Sequence, residues 1–371
     1  MRVCDLLRYL GGVVAGAVAL AGLAACSSQP STLPPDRAIA MSAAKAQAGC
    51  STHAVFVRLD TEIRGYPLFA RGTTVPCALI SGPNTQLLER GAIAVSVNGF
   101  LHSLSFQAQG TNSLTIHLPG ATGNVAPSRV ANADQDHVAL AVDSHVNDFV
   151  VASEGYAAQR CWYVIPNHAT TFAQTNCDDA LAAIHALTTN DRDELLVAGT
   201  DAKTGAGRID VFDSPATAAS HLVRSIEGPA TGIVSLSGSL GYYDVSFSLA
   251  TDPTSGAIYL YDHLFNDLGG GAIAGAPPAK ISEFAANAAG NVAPLRTLAG
   301  PNVQLVDDSF AVNVLGVDYQ GQLYAVARGS TVAISVFGPS QSGNAAPERT
   351  ISDPSGSVGS SGDAIAVRSS V

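Results

Sequence analysis

The chain has 371 residues, 47% of them apolar and 13% charged, with 36 glycines and 19 prolines. That composition, poor in Lys and Glu, excludes an architecture of long surface helices and favours many short strands joined by turns, while a formal net charge of −11 argues against nucleic acid as a partner. Length alone does not demand two domains, because closed all-β architectures often reach this size as one unit.

Residues 1–25 read as a processing signal. Arg2 and Arg8 supply a positive start, and 10–23 form an apolar, small-residue stretch too short and too soon interrupted to span a membrane. The junction Leu23-Ala24-Ala25-Cys26 resembles a bacterial lipobox. The resemblance implies cleavage before Cys26 and acyl chains such as palmitate on its thiol and amino group. With Ser27 next, it implies export to the outer membrane in a bacterium that has two membranes. A plain secretory signal cleaved near Ala25 is the alternative. Two or three acyl chains anchor firmly where one is marginal. The mature chain would carry 17 basic and 29 acidic side chains, so the lipid, and no basic patch, would hold it to the membrane.

Residues 26–50 read as a lipidated tether: 27–35 are polar and proline-rich, and 38–48 have the pattern of a short helix with few large apolar residues. From residue 51 the pattern repeats. The marker Gly-Asn-x-Ala-Pro-x-Arg occurs at 123–129, 290–296 and 343–349, the last two 53 residues apart, with worn copies expected near 170–171, 218–225 and Pro76. Each copy carries strand-like segments rich in Val, Ile, Phe and Tyr between Gly, Asn and Asp turns. First segments are expected at 92–97, 137–142, 181–187, 244–250 and 310–317; second at 101–106, 149–152, 195–198, 257–261 and 323–327; third at 113–118, 161–165, 208–212, 281–284 and 332–337. Only 178–187 has any helical periodicity. The last copy stops after one strand, 363–368, and the missing strands fit 53–59, 66–70 and 77–80 near the start. Residues 51–371 are therefore expected to be all-β: a six-bladed β-propeller of four-stranded antiparallel blades, closed by one blade shared between N- and C-terminal strands.

Apart from Cys4 in the signal and Cys26, four cysteines remain. An even number in an exported chain favours disulfides, and the absence of a Cys-x-x-Cys pair disfavours zinc. The strand layout places Cys50 beside Cys77 at one end of the closing blade and Cys161 beside Cys177 within another, so these pairs are expected, the first locking the ring shut.

An apolar strand ending in Asp, as at Asp318, then a Gly turn, a Tyr-rich strand and a Val-Phe strand resembles the NHL-type repeat of six-bladed propellers. The resemblance covers nearly all of 51–371 and is most specific at 281–351. It implies the fold and a binding scaffold; the metal-binding set of six-bladed lactonase relatives is not matched.

Motifs for chemistry are sparse. Nine histidines form no His-Glu-x-x-His, no Gly-x-Ser-x-Gly elbow occurs, and no glycine-rich stretch carries a phosphate-loop Lys, so no catalytic residue, metal ligand or cofactor is assigned. Asp143, Asp252 and Asp318, with Asn98 and Asn190 in other blades, stand where a side chain caps the following turn. The sequence Asn190-Asp191-Arg192-Asp193-Glu194 lacks the Gly and distal Glu of a calcium loop and reads as a hairpin turn. Long connections, 227–241 and 262–280 above all, should emerge on one face. There Glu154, Tyr156, Arg160, His263, Phe265, Asp307 and Asp308 form the candidate binding patch. The leading reading is a lipid-anchored envelope scaffold for a protein, peptide or glycan. The alternatives are a metal-dependent lactonase-like hydrolase working in the central channel, and a purely structural surface protein.

Overall fold

In a computed structural model the described residues are 50, 53–88, 91–105, 112–133, 137–152, 160–172, 174–213, 220–235, 243–266, 278–305, 313–327, 333–354 and 364–369. The first strands are β1 (His53–Leu59), β2 (Glu62–Pro67), β3 (Gly72–Thr73) and β4 (Ala78–Ser81). Blade 1 is β5 (Ile93–Val95), β6 (Leu101–Ser105), β7 (Asn112–His117) and β8 (Arg129–Ala133); blade 2 is β9 (His137–Val142), β10 (Asp148–Ala152), β11 (Cys161–Ile165) and β12 (Gln174–Cys177). Blade 3 is β13 (Leu181–Thr189), β14 (Leu195–Asp201), β15 (Gly207–Phe212) and β16 (Leu222–Ile226); blade 4 is β17 (Tyr243–Thr251), β18 (Ile258–Asn266), β19 (Lys280–Phe284) and β20 (Arg296–Ala299). Blade 5 is β21 (Leu315–Val317), β22 (Leu323–Ala327), β23 (Ala333–Phe337) and β24 (Arg349–Ser352), after which β25 (Ala364–Ser369) returns to pair antiparallel with β1.

The fold is thus the six-bladed β-propeller expected, with a closing blade of order β25-β1-β2-β4. First strands meet their neighbours in an unbroken circle: β25, β5, β9, β13, β17, β21 and back to β25. The core lies between blades. Along β1, Val55, Val57 and Leu59 pack with blades 4 and 5, while Ala54 and Phe56 pack with blade 1. Alternate side chains leave opposite faces of a strand, and both faces here are covered, so the strand reads as a continuous apolar run.

Three expectations change. The third strand of the closing blade is Glu62–Pro67 and not 66–70: only Asp60 and Thr61 separate it from β1, with Asp60 at φ 27, a tight turn that the more apolar 66–70 obscured. Residues 181–187 form a first strand as expected, β13, in which Leu181, Ile184 and Leu187 are buried between blades; two register shifts account for its helix-like spacing. The cap in blade 1 is Ser96 and not Asn98, since Ser96 accepts from Phe100 N. Both disulfides form as expected, but Cys50–Cys77 lies within the N-terminal strands, and the β1–β25 seam itself is closed by backbone pairing. Cys177 lies within β12, level with Cys161. Residues 26 and 38–48 lie outside the described residues.

The repeat marker proves to be more than turn chemistry. In blades 1, 4 and 5, Gly123, Gly290 and Gly343 each form a parallel bridge to the outermost strand of the preceding blade, at Ile80, Ile226 and Leu298. The next residue completes the contact: Asn124, Asn291 and Asn344 accept from the backbone N–H of Asn84, Ala230 and Asn302 at 2.7–2.8 Å. Those asparagines occupy the space left by Gly82, Gly228 and Gly300, whose φ values are +112, +112 and +117. Between blade 5 and the closing blade a worn copy survives as β3, parallel to β24 with Gly72 level with Ile351. Asp353 replaces the glycine there, and its carboxylate accepts from Tyr66 and pairs with Arg64. The marker's Arg reaches forward: Arg129 to Pro166 O, Arg296 to Gly338 O and Gln341 O, Arg349 to Ala70 O, and Arg224 in blade 3 likewise to Ala286 O. Each forward contact lands on the next blade's third-to-fourth connection, so the repeat encodes inter-blade clasps.

Candidate functional site

The first strands build four stacked rings around the axis, one residue per blade in each. Ile93, Leu140, Leu187, Leu249, Leu315 and Ile365 form the first, all buried. Next come the small residues Ala94, Ala141, Thr188, Ala250, Gly316 and Ala366, then Val95, Val142, Thr189, Thr251, Val317 and Val367. Gly316 is required where it stands, because a Cβ would meet Val367 at 2.4 Å. The last ring is Ser96, Asp143, Asn190, Asp252, Asp318 and Arg368.

These rings surround a cavity of about 570 Å³, lined by all six first strands. Its floor is Asn313, just before β21, whose amide Nδ2 donates to Ile93 O at 3.2 Å and Leu140 O at 2.9 Å, from blade 5 across the axis to blades 1 and 2. Its φ of 51 lies in the left-handed region, which Asn tolerates better than most residues. Ile365 N donates back to Asn313 O at 2.8 Å. The other end is open, lipped by Val97 (68% exposed), Ser144, Asp191 and Pro253. Cross-blade hydrogen bonds stiffen this lip: Thr189 donates to Val142 O, Thr251 to Thr189 O, and Ser144 to Asp193.

The acidic ring positions act as turn caps. Asp143 accepts from His145 N, Asn147 N and Asn147 Nδ2; Asp252 from Thr254 N, Ser255 N and Ser255 Oγ; Asp318 from Gln320 N, Gln322 N and Tyr324 OH. Asn190 likewise accepts from Arg192 N and Glu194 N, closing the expected hairpin turn. Among the described residues no three His, Cys, Asp or Glu side chains gather as a metal site requires.

The well opens on the side of the first-to-second turns. Of the binding patch inferred from loop length, Arg160, His263 and Phe265 stand toward the opposite side. Glu154, Tyr156, Asp307 and Asp308 lie outside the described residues. Arg160 forms an exposed pair with Asp179 at 3.4 Å. His263 and Phe265 belong to β18, which runs five residues further than the loop assignment allowed because it pairs with β17 out to Tyr243, and His263 is buried there. Beside it Asp262 is buried, its carboxyl raised to about 6 by that burial against the opposing pull of Lys280. The described residues therefore do not bring the patch together. Two features of the well escaped sequence reasoning, the Asn313 floor and the Arg368 lip; an asparagine just before a first strand, and an arginine at a capping position, were the signals available.

No family model matches the sequence, and no curated protein matches it. Among solved structures, the chain is similar to a protein of unknown function from Bacteroides caccae, at 12% identity and a TM-score of 0.50, over 86% of this chain and 99% of that one. It also aligns with a structure of the Dos1 propeller at 11% identity and a TM-score of 0.40, over 81% of this chain and 72% of that one. The first likeness concerns the fold alone.

Proposed function

We propose that the protein is a lipid-anchored binding scaffold of the cell envelope, with 1–25 removed as a lipoprotein signal, 26–50 serving as tether and 51–371 as an NHL-type propeller. The observation that carries the binding reading is the well: about 570 Å³, floored by Asn313, walled by six rigid first strands and open at one end. Concave pockets of this size with largely apolar walls and a few placed polar groups are the usual ligand sites of proteins. The lipobox-like Leu23-Ala24-Ala25-Cys26 supports the anchor, and Ser27 favours the outer membrane where there are two. The partner is a protein, peptide or glycan of the envelope that presents a group to the mouth of the well.

Two experiments test this. Palmitate labelling and membrane fractionation of the full chain should show label and membrane association that Cys26→Ala abolishes; a variant that stays labelled and membrane-bound overturns the anchor. A photo-reactive side chain at Val97, on the lip, should cross-link a ligand in intact cells, whereas one at exposed Leu295 (65% exposed) should not. Equal capture at both positions overturns the scaffold reading.

A further inference from the structure

In five of the six blades the last-ring residue is occupied with capping the turn between first and second strands. The closing blade has no such turn, because its first strand, β25, and second strand, β1, come from opposite ends of the chain. The side chain at that ring position is thereby released from turn chemistry, and here it is Arg368. The guanidinium lies over Gly99 in the neighbouring turn, where a Cβ would come within 2.2 Å of its Cζ, and Gly99 holds a φ of +79. Arg368 lines the well. It makes no hydrogen bond or ion pair with any described residue. Burial without a compensating charge lowers its pKa, yet a guanidinium stays cationic at neutral pH.

The acids near the mouth do not neutralise it. Asp143 is held by its own turn, and Asp193 by Ser144 and His145. Asp191 is exposed and stands on blade 3, three blades from the closing blade and so across the mouth from Arg368. A planar five-donor fork with no acceptor among the described residues, at the rim of a well walled by Val, Ala and Leu, matches one kind of ligand. The fork takes a carboxylate through paired N–H···O bonds, and the walls take an apolar body.

We propose that the central well binds a small organic carboxylate with an apolar body, its carboxylate held by Arg368 at the mouth and its body lying along the rings below. This rests on the reading of the well as a binding site and adds a small-molecule ligand beside the envelope partner. The test is calorimetric titration of the mature lipid-free chain with 4-phenylbutyrate, and with 4-phenylbutanol as an uncharged counterpart. The acid should bind at least about tenfold more tightly than the alcohol, and Arg368→Gln should bring the two together. Arg368→Lys, which keeps the charge and loses the fork, should fall between. Asp191→Asn, an exposed change that leaves the fold intact, should tighten the acid and leave the alcohol unchanged. Equal affinities in the parent chain, an unaltered preference in Arg368→Gln with its melting temperature maintained, or no binding of the acid at millimolar concentration would each overturn the proposal. Should Arg368→Gln unfold, Arg368→Lys and Asp191→Asn decide. Cross-linking at Val97 is scored separately, so carboxylate recognition can fail while the scaffold reading stands.

Discussion

The seam between blades 4 and 5 and the seam between blades 2 and 3 join equivalent strands by different means. At the first, a long connection leaves β20 through Gly300, the Asn344 side chain enters the space above that glycine, Gly343 bridges Leu298, and Arg296 reaches Gly338 and Gln341. At the second, only residues 178–180 separate β12 from β13, too few to carry a clasp. The contact across it is between carboxyls: Asp178 faces Asp210 of blade 3, whose carboxylate is held by Arg208 together with Asp201 within that blade, and the Cys161–Cys177 disulfide braces the edge of blade 2. One seam thus relies on backbone geometry and the other on a buried carboxyl contact, and the two should respond to different perturbations.

The largest effect should come from filling the clasp. Gly300→Ala puts a Cβ 2.6 Å from Asn344 Oδ1 at a φ of +117, and the left-handed penalty with overpacking should cost about 3–4 kcal/mol, read from the denaturant midpoint. At the other seam, replacing Cys161 and Cys177 together by Ser opens a loop with a sequence separation of 16. The chain-entropy model puts that loss at about 3 kcal/mol, and blade 2 should gain amide exchange where blade 5 does not. Asn344→Ala removes the acceptor for Asn302 N; a loss of about 1 kcal/mol, confined to the 4–5 seam, is expected. Stability losses as large at the 2–3 seam would show that the clasps are not local.

A pH titration probes the 2–3 seam on its own. Burial and then Asp210 raise the Asp178 carboxyl to about 7, against about 4 for an unfolded Asp. Its contribution to stability is complete below the unfolded value and is lost as pH rises through about 7, since ionisation then costs more in the folded state. His117, lowered to about 4 by burial and then by Arg58, works in the opposite sense, losing stability as pH falls below the ordinary histidine range. Asp178→Asn should isolate the first term: its stability relative to the parent should climb between pH 4 and 8 in urea melts, and a constant difference would refute the assignment. The smallest effect belongs to Arg160→Ala, since the Arg160–Asp179 pair is exposed at 48% and 89% and such pairs contribute little.

The ring was legible in the sequence because its grammar is local. Strands of Val, Ile and Tyr, turns capped by Asp143, Asp252 and Asp318, and a marker of fixed spacing each follow from residues a few positions apart. Even the closure between 364–369 and 53–59 could be read, because a missing strand at one end matched a surplus at the other. The well was less legible because its determinants converge from all six blades. Asn313 acquires its role only through carbonyls 220 and 173 residues away, and Arg368 only through the space above Gly99. Loop length pointed to the opposite side, since long connections signal elaboration but not which end of the axis is open. The clasps were seen as words without their partners, because Asn344 follows from the repeat while the glycine beneath it belongs to another blade.

Pairing the last strand with the first also sets an order of assembly. Blades 1 to 5 can each form from contiguous chain, but β1 keeps an unpaired edge until β25 has been made. Bringing ends so distant together costs entropy that grows only as the logarithm of the chain between them, so closure is late without being prohibitive. Until residues 364–369 pair with β1 the ring stays ajar, and their docking is the step at which the well acquires its sixth wall and Arg368.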